Sequence, residues 1–240
     1  SDLYEERVKY DPATEAMPDA IAKAEEQSDA RLRVAIAEGV TSWQVVEGLK
    51  RANFLSGEVS KVPAEGALAP DSYEVATGAD RAKLLAEMET RQAAILQAAW
   101  DARPFGLPYQ SPEEALIMAS IVEKETGQKS ERAMIAGVFV NRLRTGMMLQ
   151  TDPSVIYGMG PRYEGKIAKK DLLTDTPFNT YTRFGLPPTP ISLPGVQSLA
   201  AAMAPAKTDA LYFVSRNDGT SQFSDNLNDH NRAVNQYQRG

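Results

Sequence analysis

Glu125 is the residue of this chain best placed to move a proton. It lies in Ile117–Thr126, read IMASIVEKET, whose spacing predicts an amphipathic helix. Ser111 suits the N-cap, Pro112 the first helical position, Glu114 a capping box with Ser111, and Gly127 the stop. At about 100° of rotation per residue, Ile117, Met118, Ile121 and Val122 share one side. Glu125 lands in the middle of that stripe, and Glu123 and Lys124 fall outside it. A carboxylate facing a core is costly unless it is paired, neutral or functional. Desolvation and the negative end of the helix dipole both favour its protonated form. A carboxyl group that keeps its proton near neutral pH is what a general acid requires. A structural alternative fits the same pattern: Glu125 paired with a buried cation, for which Arg132 and Arg142 are near in sequence.

Other polar groups cluster downstream. Gln150-Thr151-Asp152-Pro153 reads as a loop in which Asp before Pro favours a turn. Asp152 is otherwise the candidate second carboxylate of a two-acid glycosidase. Asn179-Thr180-Tyr181 sits in a proline-rich stretch and, with Tyr157 and Phe178, offers hydrogen bonds and aromatic faces to a ligand or to the core. His230, the only histidine, reads as an exposed residue near a helix start or as a group that shapes a site. One histidine and no cysteine exclude multi-histidine and thiolate metal sites, disulfides and a thiol nucleophile. No Gly-x-Ser-x-Gly elbow occurs, and Gly158-Met159-Gly160 lacks the rest of a dinucleotide fingerprint. No metal and no cofactor are expected.

These residues need elements to hold them. Residues 1–32 are polar and charged, with a break at Asp11-Pro12 and a short helical stretch Asp19–Gln27, and read as a linker or the remnant of a preceding module. Arg33–Ile36 alternates like a strand. Thr41 or Ser42 caps a helix through Lys50 with Trp43, Val46 and Leu49 on one face, Pro63–Tyr73 is turn-rich, and Asp80–Trp100 is a long helix. After the Glu125 helix, Ser130 caps a second helix, Glu131–Thr145, striped by Met134, Ile135, Val138, Phe139 and Leu143 and closed at Gly146. Beyond Gly146 the prolines and glycines predict extended loop. Leu199–Met203 is a short helix, Leu211–Val214 and Ser221–Ser224 form a hairpin about Asn217-Asp218-Gly219, and Asp229–Gln238 is a terminal helix. Helices and short strands without regular alternation predict an α+β fold. The expected organisation is an N-terminal subdomain over 33–110 and a catalytic subdomain over 111–240.

The chain has 240 residues and is 42% hydrophobic, enough for a real core. Its 26 basic and 32 acidic side chains leave a net charge of −6, so nucleic acid is not expected as a partner. No apolar run approaches the ~18 residues of a bilayer span, and no signal peptide is visible. The sequence starts at Ser1 within a charged stretch and reads as an excised fragment.

Five blocks in order carry a resemblance: IVEKETG (Ile121–Gly127), NRLRTGMMLQTDPSVIYGMG (Asn141–Gly160), FNTYTRFGLPPTPISLPG (Phe178–Gly195), PAKTDALYFV (Pro205–Val214) and DHNRAV (Asp229–Val234). Together they resemble the catalytic domain of the YceG-like family of endolytic murein transglycosylases, from about Arg33 to the C-terminus. The family's catalytic Glu maps onto Glu125. Glu125-Thr126 is also similar to the Glu-Ser pair that ends the catalytic helix of lysozyme-like transglycosylases. The resemblance implies a bacterial lytic transglycosylase that cuts nascent peptidoglycan between N-acetylmuramic acid and N-acetylglucosamine and leaves 1,6-anhydro ends. It also implies an inner-membrane anchor missing from this chain, a periplasmic location and work beside cell-wall synthases. The expected substrate-facing residues are Glu123, Gln150, Thr151, Asn179, Tyr181, Lys207 and His230, with Lys207 facing an acidic group of the glycan or its peptide stem. Rival readings are a hydrolytic muramidase using Glu125 with Asp152, and a peptidoglycan-binding scaffold. Two departures stand out: Met148 where the family commonly has a basic residue, and Ser221 at the place of a common histidine. Asp152 is expected to turn away from the groove, and Gln150 or Asn179 to be the nearest polar neighbour of Glu125.

Overall fold

The computed structural model describes residues 9–10 and 31–239. The stretch Asp19–Gln27 and the break at Asp11-Pro12 lie outside the described residues. The chain folds as two compact units: Ser1–Ile95 with Ser192–Gly195, and Leu96–Ile191 with Val196–Gly240. The division falls before residue 96 rather than at the expected 110/111. Residues 96–110 pack with the second unit, where the Tyr109 hydroxyl donates to Ala202 O (2.8 Å) and Arg144 Nη2 to Gly106 O (2.8 Å).

The first unit holds a three-stranded sheet in the order β1 (Lys9–Tyr10), β2 (Arg31–Ala35), β3 (Ser72–Ala76). β1 runs parallel to β2, with Lys9 opposite Arg33, and β2 antiparallel to β3, with Val34 opposite Tyr73. Alternation buries Leu32 and Val34 of β2 and Tyr73 and Val75 of β3 on one face. Helix α1 (Ser42–Arg51) starts at a Thr41–Gln44 capping box and adds Val45, Val46 and Leu49 to the same core. Trp43 does not join that face, being 60% exposed; Val45 takes its place. Arg81 satisfies carbonyls at the C-terminal end of α1, its Nε donating to Leu49 O (2.6 Å) and its Nη2 to Ala52 O (2.7 Å).

Helix α2 (Arg81–Asp101) contains the division between units. The second unit continues with α3 (Pro112–Glu125), α4 (Arg132–Thr145), α5 (Asp152–Met159), α6 (Lys169–Leu173), α7 (Val196–Met203), the hairpin β4 (Tyr212–Ser215)–β5 (Ser221–Ser224) and α8 (Leu227–Gln238). This mixture of helices and short strands is α+β. The central element is α3, which packs on α4, α5 and α7. It is not amphipathic as expected: Ala115 through Val122 are all buried, as in a helix surrounded by core.

Three further local readings change. Residues beyond Gly146 are not all loop, because Asp152-Pro153 opens α5 and Gly160 ends it. Ser130 does not cap α4; it sits inside a 3-10 turn, Lys129–Glu131, whose backbone bonds occupy the position a cap would hold. Met134 and Leu143 are half-buried, whereas Ala136, Gly137 and Val140 are buried, so α4 is packed on more than one side. A Cβ on Gly137 would lie 2.8 Å from Ala206 O, so only glycine lets the Ala206–Thr208 backbone approach there. The hairpin turn uses Asn217 (φ 64°) and Gly219 (φ 89°). Among the described residues no helix is long and apolar enough to cross a membrane.

Candidate active site

Glu125 is the last residue of α3, where the helix leaves the core. Ser111 Oγ accepts from Glu114 N (3.3 Å), while the Glu114 carboxylate reaches Gln110 N (2.6 Å), one residue before the expected box partner. At the other end no left-handed glycine stops the helix. Thr126 takes an extended conformation and its hydroxyl turns back to Val122 O (2.6 Å).

The half-buried Glu125 side chain opens into a cleft of about 500 Å³ in the second unit. Gln150, Asp152 and Pro153 line it from the start of α5, Tyr181 from the proline-rich loop, Phe139 and Arg142 from α4, Tyr212 from β4, and His230 and Asn231 from α8. The Thr151 hydroxyl donates to Glu125 Oε1 at 2.6 Å. Thr151 is itself 1% exposed. Its N–H donates to Thr180 Oγ1 (2.9 Å), which also lies 2.9 Å from Ser154 Oγ, and Gln150 N donates to Thr180 O (3.1 Å). This ladder of hydroxyls fixes the first turn of α5 against the loop. Gln150 pays for its place with a left-handed backbone (φ 50°) and keeps an exposed side chain at the cleft.

The expectations for Asp152 and for the nearest neighbour therefore change. Asp152 lines the cleft and accepts a hydrogen bond from the Tyr181 hydroxyl, and Thr151 is the hydrogen-bond partner of Glu125. The cause is α5: read as a helix start, Thr151-Asp152-Pro153 puts Thr151 against Glu125 and Asp152 at the opening.

Burial holds the Glu125 carboxyl above the usual carboxylate range, and the negative charge of Asp152 adds to the effect. The Thr151 hydrogen bond and the Arg142 charge oppose it. Burial and Asp152 likewise keep the Tyr181 phenol protonated. Arg142 is anchored by Leu211 O (2.8 Å) and Leu149 O (2.9 Å) and lies 5.3 Å from the Tyr212 ring centroid. His230 stacks on the same ring at 4.9 Å, and burial and Arg142 hold its pKa below the ordinary value. Neither Arg132 nor Arg142 forms an ion pair with Glu125 among the described residues. Arg132 instead faces Glu123 (3.7 Å), both side chains being nearly buried.

Of the residues singled out in the sequence, Glu125, Gln150, Tyr181 and His230 meet at the cleft, with Thr151 behind Glu125. Asn179 is 1% exposed; its Nδ2 donates to the carbonyls of Leu172 (3.0 Å) and Thr174 (2.7 Å), and its Oδ1 accepts from Tyr181 N (2.8 Å). That side chain holds the loop and does not line the Glu125 cleft. Glu123 does not line the cleft; its carboxylate is turned to Arg132. Lys207 lines a separate hollow of about 710 Å³ with Phe105 and Arg144. Met148 O accepts a long bond from Arg142 Nη1 (3.4 Å), and Ser221 N donates to Glu131 Oε1 (2.9 Å). Tyr212 and Asn231 line the cleft without having been singled out from the sequence, and Arg142, named there only as a possible ion-pair partner of Glu125, lines it too. Arg142 was detectable, because with Ile135, Val138 and Phe139 it continues a helical stripe, the signal that singled out Glu125.

The model of the YceG-like family matches residues 8–236. The chain belongs to the YceG-like family. An endolytic murein transglycosylase of Bacillus subtilis is 44% identical over 127 residues, covering 53% of this chain and 35% of that protein. One from Streptococcus pneumoniae D39 is 28% identical over 237 residues, covering 87% of this chain and 41% of that protein. The chain thus spans between 35% and 41% of the length of these curated relatives. The fold is shared with the crystal structure of a YceG-like protein from Listeria monocytogenes, at a TM-score of 0.69 and 32% identity over 83% of this chain and 75% of that one. Within this YceG-like chain, the Glu125 helix, the start of α5, the Tyr181 loop and α8 are the elements that converge on the cleft.

Proposed function

We propose that this chain is a lytic transglycosylase that cuts the bond between N-acetylmuramic acid and N-acetylglucosamine inside peptidoglycan strands. The observation that carries this reading is a carboxyl group at a helix end, aimed into a cleft and held by a neutral hydroxyl, whose proton affinity burial raises. Glu125 donates its proton to the glycosidic oxygen as the C1–O bond breaks. The carboxylate left behind takes the proton of the muramoyl C6 hydroxyl, and that oxygen closes on C1. The product is a 1,6-anhydro end; no water is consumed and Glu125 regains its proton. Asp152 supports the first step by raising the proton affinity of Glu125, and its negative charge stabilises the oxocarbenium character at C1. Gln150, Tyr181 and His230 offer polar groups to the sugars, and Thr151 and Asn179 hold the machinery in place.

The names of the relatives support the same substrate class. On this reading the chain works on the periplasmic side of the bacterial inner membrane, beside cell-wall synthases, with an anchor outside this sequence. One observation favours a second reading. Asp152 shares the cleft with Glu125, as the water-activating base of a hydrolytic muramidase would. Mass spectrometry of products from uncrosslinked glycan separates the readings. Anhydro ends that vanish in Glu125→Gln establish the transglycosylase, reducing ends the muramidase, and no cleavage by the wild type a binding scaffold.

A further inference from the structure

Residues 160–186 differ in charge from the rest of the chain. They carry five Lys/Arg against three Asp/Glu, a net +2 in a chain of net −6. Arg183 and Asp175 cancel each other through a two-pronged pair (3.0 and 3.1 Å). Asp171 turns its carboxylate to Ala168 N (2.7 Å) at the start of α6. Arg162, Lys166, Lys169 and Lys170 are exposed, and no ion pair engages them among the described residues. The same stretch carries two large exposed apolar side chains, Leu173 and Phe184, each 70% exposed. The Arg183–Asp175 pair brings their backbones together, since Leu173 lies two residues before Asp175 and Phe184 directly after Arg183. The Asn179 amide adds a second tie, to the carbonyls of Leu172 and Thr174.

We propose that this segment docks on an anionic bilayer surface, with Leu173 and Phe184 entering the headgroup region and the four cations facing lipid phosphates. Exposed apolar side chains ringed by Lys and Arg are the composition of an interfacial anchor. Charge complementarity selects the anionic lipid: this stretch is basic in an acidic chain and its four cations are exposed, and a neutral surface would give them nothing to meet. Leu173 and Phe184 protrude, which suits a fluid surface whose headgroups rearrange around them. Tyr181 of the cleft is three residues from Phe184, so docking here would set the cleft close to the bilayer. The inference does not rest on the proposed reaction.

Sedimentation of the 240-residue chain with vesicles of phosphatidylglycerol and phosphatidylcholine in equal parts, or of phosphatidylcholine alone, provides the test. Binding to the mixed vesicles alone, weakened by added salt, is the expected result. One basic side chain at an anionic surface is worth about fivefold in partitioning, so Lys169→Gln with Lys170→Gln should weaken binding about thirtyfold. Leu173→Ser with Phe184→Ser should weaken it on the order of tenfold. All four positions are exposed, and circular dichroism of each pair checks the fold. No binding to anionic vesicles, equal binding to both kinds, or binding that neither pair reduces would overturn the proposal. So would self-association of the chain that either pair abolishes without any vesicle binding.

Discussion

Thr151→Val exchanges a hydroxyl for a methyl group of similar shape directly behind Glu125. The 2.6 Å bond from Thr151 stabilises the ionised form of Glu125 and opposes desolvation. A hydrogen bond to a charged group is worth about 1.5–3 kcal/mol, and 1.36 kcal/mol corresponds to one pKa unit. Glu125 is only half-buried, so the lower end applies and the carboxyl should rise further by about one unit. The protonated form starts the reaction, so activity is lost as pH rises through the Glu125 pKa. The alkaline limb of kcat/KM should therefore move up by about one pH unit. The plateau should fall about tenfold, because the carboxyl loses its orienting partner. Stability follows the same sign. A carboxyl whose folded pKa is raised contributes fully below its unfolded pKa and loses that contribution as pH rises through the folded value. Thr151→Val should thus destabilise the protein above that window by about 1.4 kcal/mol and hardly at all in acid. The assay is a pH–rate profile from quantified muropeptides, run beside Thr151→Ser, which keeps the donor and should keep the limb. An alkaline limb that stays in place or moves towards acid in Thr151→Val refutes the reasoning.

Glu125→Gln should lower turnover by about 10²–10⁴ while retaining the Thr151 hydrogen bond. It should also raise the melting temperature at neutral pH, with the gain fading in acid, as a thermal melt series would show. Asp152→Asn removes the charge that supports Glu125 protonation, so the alkaline limb should shift towards acid while products keep anhydro ends; reducing ends in the wild type that disappear in this variant would favour the muramidase. Glu123→Gln removes the charge facing the nearly buried Arg132, which keeps its bonds to Ser198 and Gln197, and should cost about 1 kcal/mol in denaturant unfolding, with the activity of the folded fraction within about tenfold of wild type.

What the sequence disclosed depended on how local the cause was. The start of α3 was readable from Ser111 and Pro112, because caps act within one turn. The hairpin was readable from Asn217 and Gly219, because its backbone needs residues that tolerate positive φ. Glu125 was singled out by its phase on an apolar stripe, yet α3 is buried all round. The relevant fact is that the helix leaves the core at Glu125, which tertiary packing decides. α5 was hidden because Asp-Pro signals a turn and a helix start alike. Asn179 looked like a sugar contact because a polar side chain in a loop has two possible uses, and its partners Leu172, Thr174 and Tyr181 lie seven residues or fewer away in a conformation no periodicity encodes. The strand β3 went unread at the end of a turn-rich stretch, since its pairing with β2 is long-range.

The supports that reach Glu125 from behind, namely Thr151, Ser154, Thr180 and Asn179, are hydroxyls and one amide. None of them titrates between weak acid and weak base. The scaffold is neutral and only its tip ionises. A proton can leave and return at Glu125 in each turnover without switching any bond in the ladder that aims it, so the shape of the site is insulated from its own chemistry.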